Sequence, residues 1–381
     1  MKQYFFMPLV LVLINNQFTK AQSIPQYDHV VIVIMENHAF ESIVGSSSAP
    51  YINSLISGTS SASFNQSFGL THPSQPNYIM LYSGSNQGVL SDSDPSTFPF
   101  TSANLGASLL SNSLTFKGYS EDLPSVGYNG SVSGNYARKH NPWVNWQNAT
   151  TNGIPSTSNQ PFSSFPADFT NLPTVSFVIP NQLHDMHIPP ITPTVIPNGD
   201  AWLNNYLDSY VQWAKTHNSL FILTFDEDDG AYSNHITTIF VGANVLKGVY
   251  TEHINHYNIL RTIEDMYGLP YAGNSSTALP ITNCWISNTT EIQNSKTNVI
   301  INLFPNPTNE SLTINFYSNI PQIIKINVTD LLSRTIINSS NEVHVGNNKI
   351  TLPSEGLASG TYIVNVISAE RSIVKKVIFK K

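Results

Sequence analysis

Cysteine is almost missing from this chain. The single Cys284 excludes an internal disulfide and a thiolate-built metal cage. Charge is sparse as well: Asp, Glu, Lys and Arg make up 11% of 381 residues, so surface hydration must lean on Ser, Thr and Asn. The charge present tilts negative, to −7, with no basic stripe, which disfavours unassisted nucleic-acid binding. Beyond the N-terminus no apolar run is long enough to span a bilayer. Hydrophobic residues still form 40% of the chain, whose length exceeds one ordinary domain and allows a sizeable core. Internal repeats are not evident.

The first residues pair a basic start, Lys2, with a short apolar run from Tyr4 to Ile14, followed by polar residues and Lys20-Ala21-Gln22-Ser23. That pattern predicts a secretory signal peptide over residues 1–22, too short for a membrane anchor.

The strand His29-Val30-Val31-Ile32-Val33-Ile34-Met35 is nearly continuous in β-branched residues, as expected when both faces of a parallel strand are buried. It exits into Glu36-Asn37-His38, and the carboxyl ends of such strands are where open α/β sheets bind ligands. Further strands are predicted at 114–119, 175–180, 220–225 and 236–241, and helices at 50–57, 104–111 and 256–267. Asp200 is expected to cap a helix carrying Trp202, Leu203, Tyr206, Leu207, Tyr210 and Trp213 near helical spacing. Residues 142–171, rich in Pro, Ser, Asn and Thr, read as long surface loops. The alternation predicts an α/β domain with a mostly parallel sheet and one catalytic edge over residues 23–291. Residues 292–301 read as a linker. Short alternating strands at 311–316, 323–328, 349–352, 362–368 and 374–379 then predict a small all-β sandwich over residues 302–381.

The chemistry centres on Thr71-His72-Pro73-Ser74-Gln75-Pro76-Asn77-Tyr78. Ser74 followed by Pro76 and an apolar run predicts a helix start with Ser74 as N-cap, where free backbone N–H groups and the helix dipole favour an anion. Three strand exits supply Glu36-Asn37, Asp185-Met186-His187 and Asp226-Glu227, with His235 just downstream. Alone, each acid reads as a solvated loop residue. The adjacent Asp226 and Glu227 repel one another unless a cation or hydrogen-bond donors offset them. Glu36, Asn37, Asp226 and Glu227 are hard oxygen ligands suited to Mg²⁺, Mn²⁺ or Ca²⁺. Adding His187 and His235 shifts the preference toward Zn²⁺ or Mn²⁺. Such an ion would lower the pKa of the Ser74 hydroxyl, while the helix N-terminus and the Asn77 amide stabilise the remaining charge.

Seven motifs in order carry a resemblance: Val33-Ile34-Met35-Glu36-Asn37-His38, the Thr71–Tyr78 stretch, Tyr119-Ser120-Glu121-Asp122-Leu123-Pro124, Lys139-His140-Asn141-Pro142, Asn181-Gln182 with Asp185-Met186-His187, Gly199-Asp200 with Trp202-Leu203, and Thr224-Phe225-Asp226-Glu227-Asp228. From about residue 27 to 269 the chain resembles the phosphoesterase family of secreted bacterial acid phosphatases and phosphocholine-type phospholipases C, within the alkaline-phosphatase superfamily. The resemblance implies an alkaline-phosphatase-like three-layer α/β/α fold, Ser74 as nucleophile, and Glu36, Asn37, Asp226 and Glu227 as metal ligands. It implies one or two divalent ions (Mg, Mn, Ca or Zn) and an oxyanion role for Asn77. Asp185, His187 and His235 are carried over as metal ligands or phosphate contacts, and His140 as a phosphate contact or proton donor to the leaving group. Glu227 stands where two-zinc members of the superfamily have histidine.

Residues Leu303-Phe304-Pro305-Asn306-Pro307, Gly360-Thr361-Tyr362 and the basic end Lys380-Lys381 resemble the type IX secretion sorting domain. That implies export through the periplasm by the type IX machinery, to a secreted or surface-attached state. The expectation is a secreted, metal-dependent phosphomonoesterase acting on phosphate esters through a phosphoserine, with phospholipase C or another phosphodiesterase as the alternative chemistry. A non-catalytic surface binding protein is the alternative from another class; the retention of Glu36, Ser74 and Asp226 argues against it. A sulfatase is disfavoured because no Arg follows Ser74 in a Ser-x-Pro-x-Arg pattern.

Overall fold

The computed structural model describes residues 24–187, 194–286, 302–318, 321–332, 334–368 and 372–380, which fall into two units divided near residue 288. The signal-peptide and linker assignments lie outside the described residues.

In the first unit, eight strands form one sheet: β1 (His29–Met35), β2 (Ser61–Phe64), β3 (Phe116–Ser120), β4 (Asn159–Pro161), β5 (Val175–Ile179), β6 (Ser219–Phe225), β7 (Thr238–Gly242) and β8 (Gly248–Tyr250). Their spatial order is β8-β2-β7-β6-β1-β5-β3-β4. Only β7 runs against the others. β1 pairs in parallel with both β5 and β6, in registers such as Val30 to Val175 and Val30 to Leu220. The exits of these three strands therefore open on one edge, side by side.

The period-two alternation of β1 explains the layering. Val30, Ile32 and Ile34 face a core shared with α2 (Ser74–Ser83), α3 (Leu105–Ser111) and α5 (His256–Tyr267). Val31, Val33 and Met35 face a second core against α1 (Pro50–Ser57) and α4 (Val195–Ala214). The result is the expected three-layer α/β/α arrangement. The described helices include none long and apolar enough to cross a membrane.

Two sequence expectations need correction. Residues 142–171 are surface loops only in part: most of the stretch is exposed or half-buried, but Trp143, Val144 and Trp146 are fully buried, and β4 extends the sheet. The polarity that made this stretch read as solvated works inside the protein, where Asn159 accepts from the Trp143 indole at 2.9 Å. Gly118 makes room for that indole, since a Cβ there would meet the ring at 2.0 Å.

Asp200 does not cap its own helix, which begins at Val195; Pro197 fits its first turn because that position has no intrahelical N–H partner to lose. Instead the Asp200 carboxylate accepts from the N–H groups of Tyr51 and Ile52 at 2.9 and 2.8 Å, capping α1 from across the layer. Asp200→Ala strips two buried donors of a charged acceptor. It should cost about 2–4 kcal/mol, read as a lower urea midpoint.

The second unit contains β9 (Asn302–Phe304), β10 (Ser311–Ser318), β11 (Gln322–Asp330), β12 (Thr335–Val343), β13 (Gly346–Pro353), β14 (Gly360–Ile367) and β15 (Ser372–Phe379), with no helix among the described residues. They form antiparallel sheets in the orders β9-β10-β13 and β12-β11-β14-β15. Leu312, Ile314, Ile326, Val328 and Val364 share one core. The sequence reading missed β12, an edge strand that is exposed along most of its length and has little apolar alternation.

Candidate active site

The site is built where β1, β5 and β6 end. After Met35 the backbone turns at Asn37, whose φ of 46° is a left-handed conformation that Asn tolerates better than most residues. This turn lets the Asn37 N–H donate to Asp226 Oδ1 at 3.2 Å. Asp226 N donates to Met35 O at 3.0 Å and Glu36 N to Asp185 O at 2.7 Å, locking the three exits together. Behind them the buried His256 donates from Nε2 to Asp226 O at 2.6 Å.

Over this edge lies the start of α2. Ser74 is its first residue, with Pro73 as N-cap, so the serine is not the cap that its sequence context predicts. Its hydroxyl is committed sideways, 3.0 Å from Glu36 Oε2, 3.2 Å from Asn37 Oδ1 and 3.0 Å from Glu227 Oε1. One proton serves three acceptors, so two oxygens always face the serine oxygen without a hydrogen from it. Ser74, Asn77 and Tyr78 are spaced i, i+3, i+4 and share a helix face. Asn77 donates to Glu227 Oε2 at 3.2 Å and to Thr71 O at 2.7 Å, while the Tyr78 hydroxyl donates to Glu36 Oε1.

From β5, Asp185 and His187 approach Glu36. His187 Nδ1 lies 3.1 Å from Glu36 Oε2, and its N–H donates to Asp185 Oδ1 at 2.7 Å. His140 is fully enclosed, stacked on Tyr78, with its ring nitrogens 3.4 Å from Glu36 Oε1 and 3.4 Å from Asp185 Oδ2. That enclosure suits a ligand or charge partner better than a proton donor to a departing alcohol. His235 is not brought into this group. It stacks between Phe40 and Phe68, 2.8 Å from Glu41 Oε1 and 3.1 Å from Asn65 O, where an antiparallel bridge pairs its backbone with Phe68.

The electrostatics are those of too many carboxylates. Burial pushes the Glu36 carboxyl up, but His140 and His187 outweigh it and hold it at about 2. Burial, with Glu36 and Glu227 adding to it, pushes Asp226 well above the usual carboxylate range. Burial and Glu36 push Glu227 up to about 8. Asp226 Oδ2 is buried without a hydrogen-bond donor, and Asp185 Oδ2 has only the long approach of His140 Nδ1 at 3.4 Å. Orphaned oxygens among crowded acids fit a cation. Among the described residues one group meets that requirement by its geometry, Glu36, His140 and His187, whose ligand atoms lie within 4.8 Å of one another. Glu36, Asn37 and Glu227 meet instead at the Ser74 hydroxyl, and with Asp226 they form a second candidate set on the chemistry of their oxygens alone.

Three contributors went unassigned in the sequence. His72 sits 3.0 Å from Glu227 Oε2 and 3.2 Å from Asp228 Oδ1. Tyr78 could have been found from its i+4 spacing to Ser74. Asp228 accepts from the N–H groups of Gly230, Tyr232 and Asn234 and so shapes the loop that follows Glu227.

This arrangement can be set beside known proteins. The model of the Phosphoesterase family matches residues 46–270, more than half of the chain. The chain belongs to the phosphoesterase family. It is thus a hydrolase of phosphoric esters. Within the family it is 47% identical over 270 residues to a phosphatidylinositol-3-phosphatase of Mycobacterium tuberculosis, covering 70% of this chain and 85% of that one. It is 32% identical over 219 residues to a phosphate-repressible acid phosphatase of Penicillium chrysogenum, covering 54% of this chain and 52% of that longer protein. Among solved structures, a protein in the alkaline phosphatase superfamily from Vibrio parahaemolyticus aligns with TM-score 0.48 and 10% identity, over 95% of this chain and 84% of that one. The family chain continues into a secretion system C-terminal sorting domain at residues 302–380, which indicates export.

Proposed function

We propose that this chain is a secreted, metal-dependent phosphomonoesterase that works through a phosphoserine on Ser74. The observation that carries the reading is the buried hydroxyl of Ser74, held at a helix N-terminus by Glu36, Asn37 and Glu227. At 3.0 Å from each, its proton is within reach of Glu227 Oε1 or Glu36 Oε2, leaving Oγ free to attack phosphorus. The phosphorus–oxygen bond to the leaving group breaks as the Oγ–phosphorus bond forms, and the departing oxygen is protonated from solvent. Water then attacks the phosphoserine, and inorganic phosphate and the serine hydroxyl are restored. The start of α2 supplies donors for the transferring oxygens, and Asn77 would join them by turning the Nδ2 hydrogen now given to Glu227 Oε2 toward the phosphoryl group. A divalent cation held by Glu36, Asn37, Asp226 and Glu227 would lower the serine pKa and offset charge on the phosphoryl group. His140, His187 and Asp185 would set the charge and orientation of Glu36.

The monoester preference rests on the curated relatives, named as phosphatases. The proposed route of export is through the periplasm, with the C-terminal unit as the signal read by the type IX machinery.

The test is hydrolysis by the full mature chain of p-nitrophenyl phosphate, bis-p-nitrophenyl phosphate and p-nitrophenylphosphorylcholine, with and without EDTA. Monoester turnover should exceed diester turnover by at least about tenfold and vanish with chelator. Diester preference would move the assignment to a phosphodiesterase or phospholipase C. Silence on all three with metal supplied, alongside phosphate binding, would favour the non-catalytic binding protein.

A further inference from the structure

The carboxylate cluster leaves open what receives the negative charge of the substrate itself. A monoester phosphate carries up to two negative charges, and it must approach a serine held by the carboxyl groups of Glu36 and Glu227, with Asp185 and Asp226 at the neighbouring strand exits. Among residues 24–286 the sequence has six Lys and Arg side chains, at 117, 138, 139, 215, 247 and 261. Lys117 is exposed at the second position of β3, toward the end opposite the strand exits, and Lys215 donates to Gln212, Lys247 to Ser57 O and Arg261 to Asp265, none of them to a residue of the strand exits. Arg138 is buried, its two terminal nitrogens donate to Asp94 and Asn145, and Phe98 lies against its guanidinium. Lys139 differs.

It lies in the single turn Arg138–His140, between two residues that are both buried. Arg138 anchors one side of this turn to Asp94, and His140 places the other against Glu36 and Asp185. The backbone of Lys139 is thereby pinned beside the site, while its side chain keeps 19% exposure. Its ammonium donates to Asp92 Oδ2 at 2.7 Å. The other oxygen of the same carboxylate accepts from the N–H of Gln75 at 3.0 Å, one residue after the nucleophile. A single carboxylate therefore separates the Lys139 ammonium from the backbone N–H that follows Ser74. The loop carrying Asp92 is held in turn by the Gln75 side chain, whose Nε2 donates to Ser91 O at 2.9 Å and Ser93 O at 2.7 Å. An ammonium has three donors, and Asp92 takes one.

We propose that Lys139 binds the phosphate of the substrate, with Asp92 as the positioning residue that aims its ammonium at the start of α2. This rests on the phosphomonoesterase reading and adds a specificity device to it. A cation at this place stabilises the second anionic oxygen of a monoester, which a diester lacks. It offsets the repulsion that the surrounding acids impose on a dianion.

The experiment uses the full mature chain and two readouts. In the first, kcat/KM is measured for p-nitrophenyl phosphate and for methyl p-nitrophenyl phosphate. Lys139→Met should lower the monoester value by about 100-fold and the diester value by less than about fivefold, and Lys139→Arg should recover most of the loss. Asp92→Asn, which keeps the cation but frees it, should raise KM for the monoester more than it lowers kcat. The second readout, binding of inorganic phosphate by isothermal titration, is independent of turnover. Affinity should fall by at least about tenfold in Lys139→Met and be retained in Lys139→Arg, with all variants checked for unchanged thermal unfolding.

Equal phosphate affinity in wild type and Lys139→Met, or equal losses on monoester and diester, would overturn the proposal. So would a wild type that does not bind phosphate. A wild type that binds phosphate through Lys139 without hydrolysing either ester would sink the hydrolase reading while upholding the binding role. Lys139→Gln serves in place of the Met variant if the latter fails to fold.

Discussion

Ser74→Ala is expected to reduce p-nitrophenyl phosphate turnover by about four to six orders of magnitude. The loss should be catalytic rather than a failure to fold. Ser74 is not the helix cap, since Pro73 occupies that position, so the start of α2 does not depend on the hydroxyl. What disappears is the one donor shared by Glu36 Oε2, Asn37 Oδ1 and Glu227 Oε1. Leaving buried acceptors unpaired costs about 1–3 kcal/mol, so the melting temperature should fall modestly while activity vanishes. The decisive measurement is a rapid acid quench of the wild type with ³²P-labelled monoester, followed by peptide mapping. Label on the peptide containing Ser74, absent from the alanine variant, is the expected result. Label on another residue, or a variant that keeps a tenth of its activity, would remove Ser74 from the mechanism.

The second large effect concerns Asp226, and its sign separates stability from activity. The carboxylates of Asp226 and Glu227 are both pushed up, by burial first and by neighbouring acids second. A carboxyl whose folded pKa lies above its unfolded value contributes stability below the unfolded value and loses it as pH rises toward the folded one. For Glu227 that window runs from 4.5 to about 8. His187, raised chiefly by its hydrogen bond to Glu36, acts in the same direction, losing its contribution as pH rises through its folded value. Glu36 is held down at about 2, so its own contribution is lost only at strongly acid pH.

Chelator-treated protein should therefore melt at progressively lower temperature as pH rises through this window, and a divalent ion should restore stability most at the alkaline end. Asp226→Asn removes one of the repelling charges. It should flatten that slope and leave the chelated protein at least as stable as wild type. The same variant should lose about three orders of magnitude in turnover and most of its metal-dependent gain in melting temperature. Calorimetry across pH with EDTA or with added Mg²⁺, Mn²⁺, Ca²⁺ or Zn²⁺ reads both. A chelated wild type that is most stable near pH 8 would contradict the crowding of acids on which the cation site rests.

Local pattern revealed much of this protein because several of its elements announce themselves. The run from Val30 to Met35 cannot be satisfied except between two apolar layers, so it specifies a central strand and a polar exit at Glu36. Helix α5 begins at His256 and ends at Tyr267 as its periodicity predicts, with Asn255 and Asn258 forming a capping box and Gly268 closing it in a left-handed conformation. In the tail, alternation located five strands but neither the three-residue β9 nor β12, whose outward face and edge position remove the apolar signal.

What the amino-acid order determined by itself was a set of buried strands with acidic exits, a serine at the start of a helix, and a change to antiparallel β structure in the last part of the chain. Tertiary structure alone decided which exits meet. Pairing β1 between β5 and β6 brings Glu36, Asp185 and Asp226 to one edge from positions far apart in sequence. It also turned His235 away and buried His140 against Tyr78. The physical reason is that periodicity encodes which face of an element is buried, a local property. Which charges face one another depends on sheet order and on the rotation of loops, and those are set by packing across the whole unit.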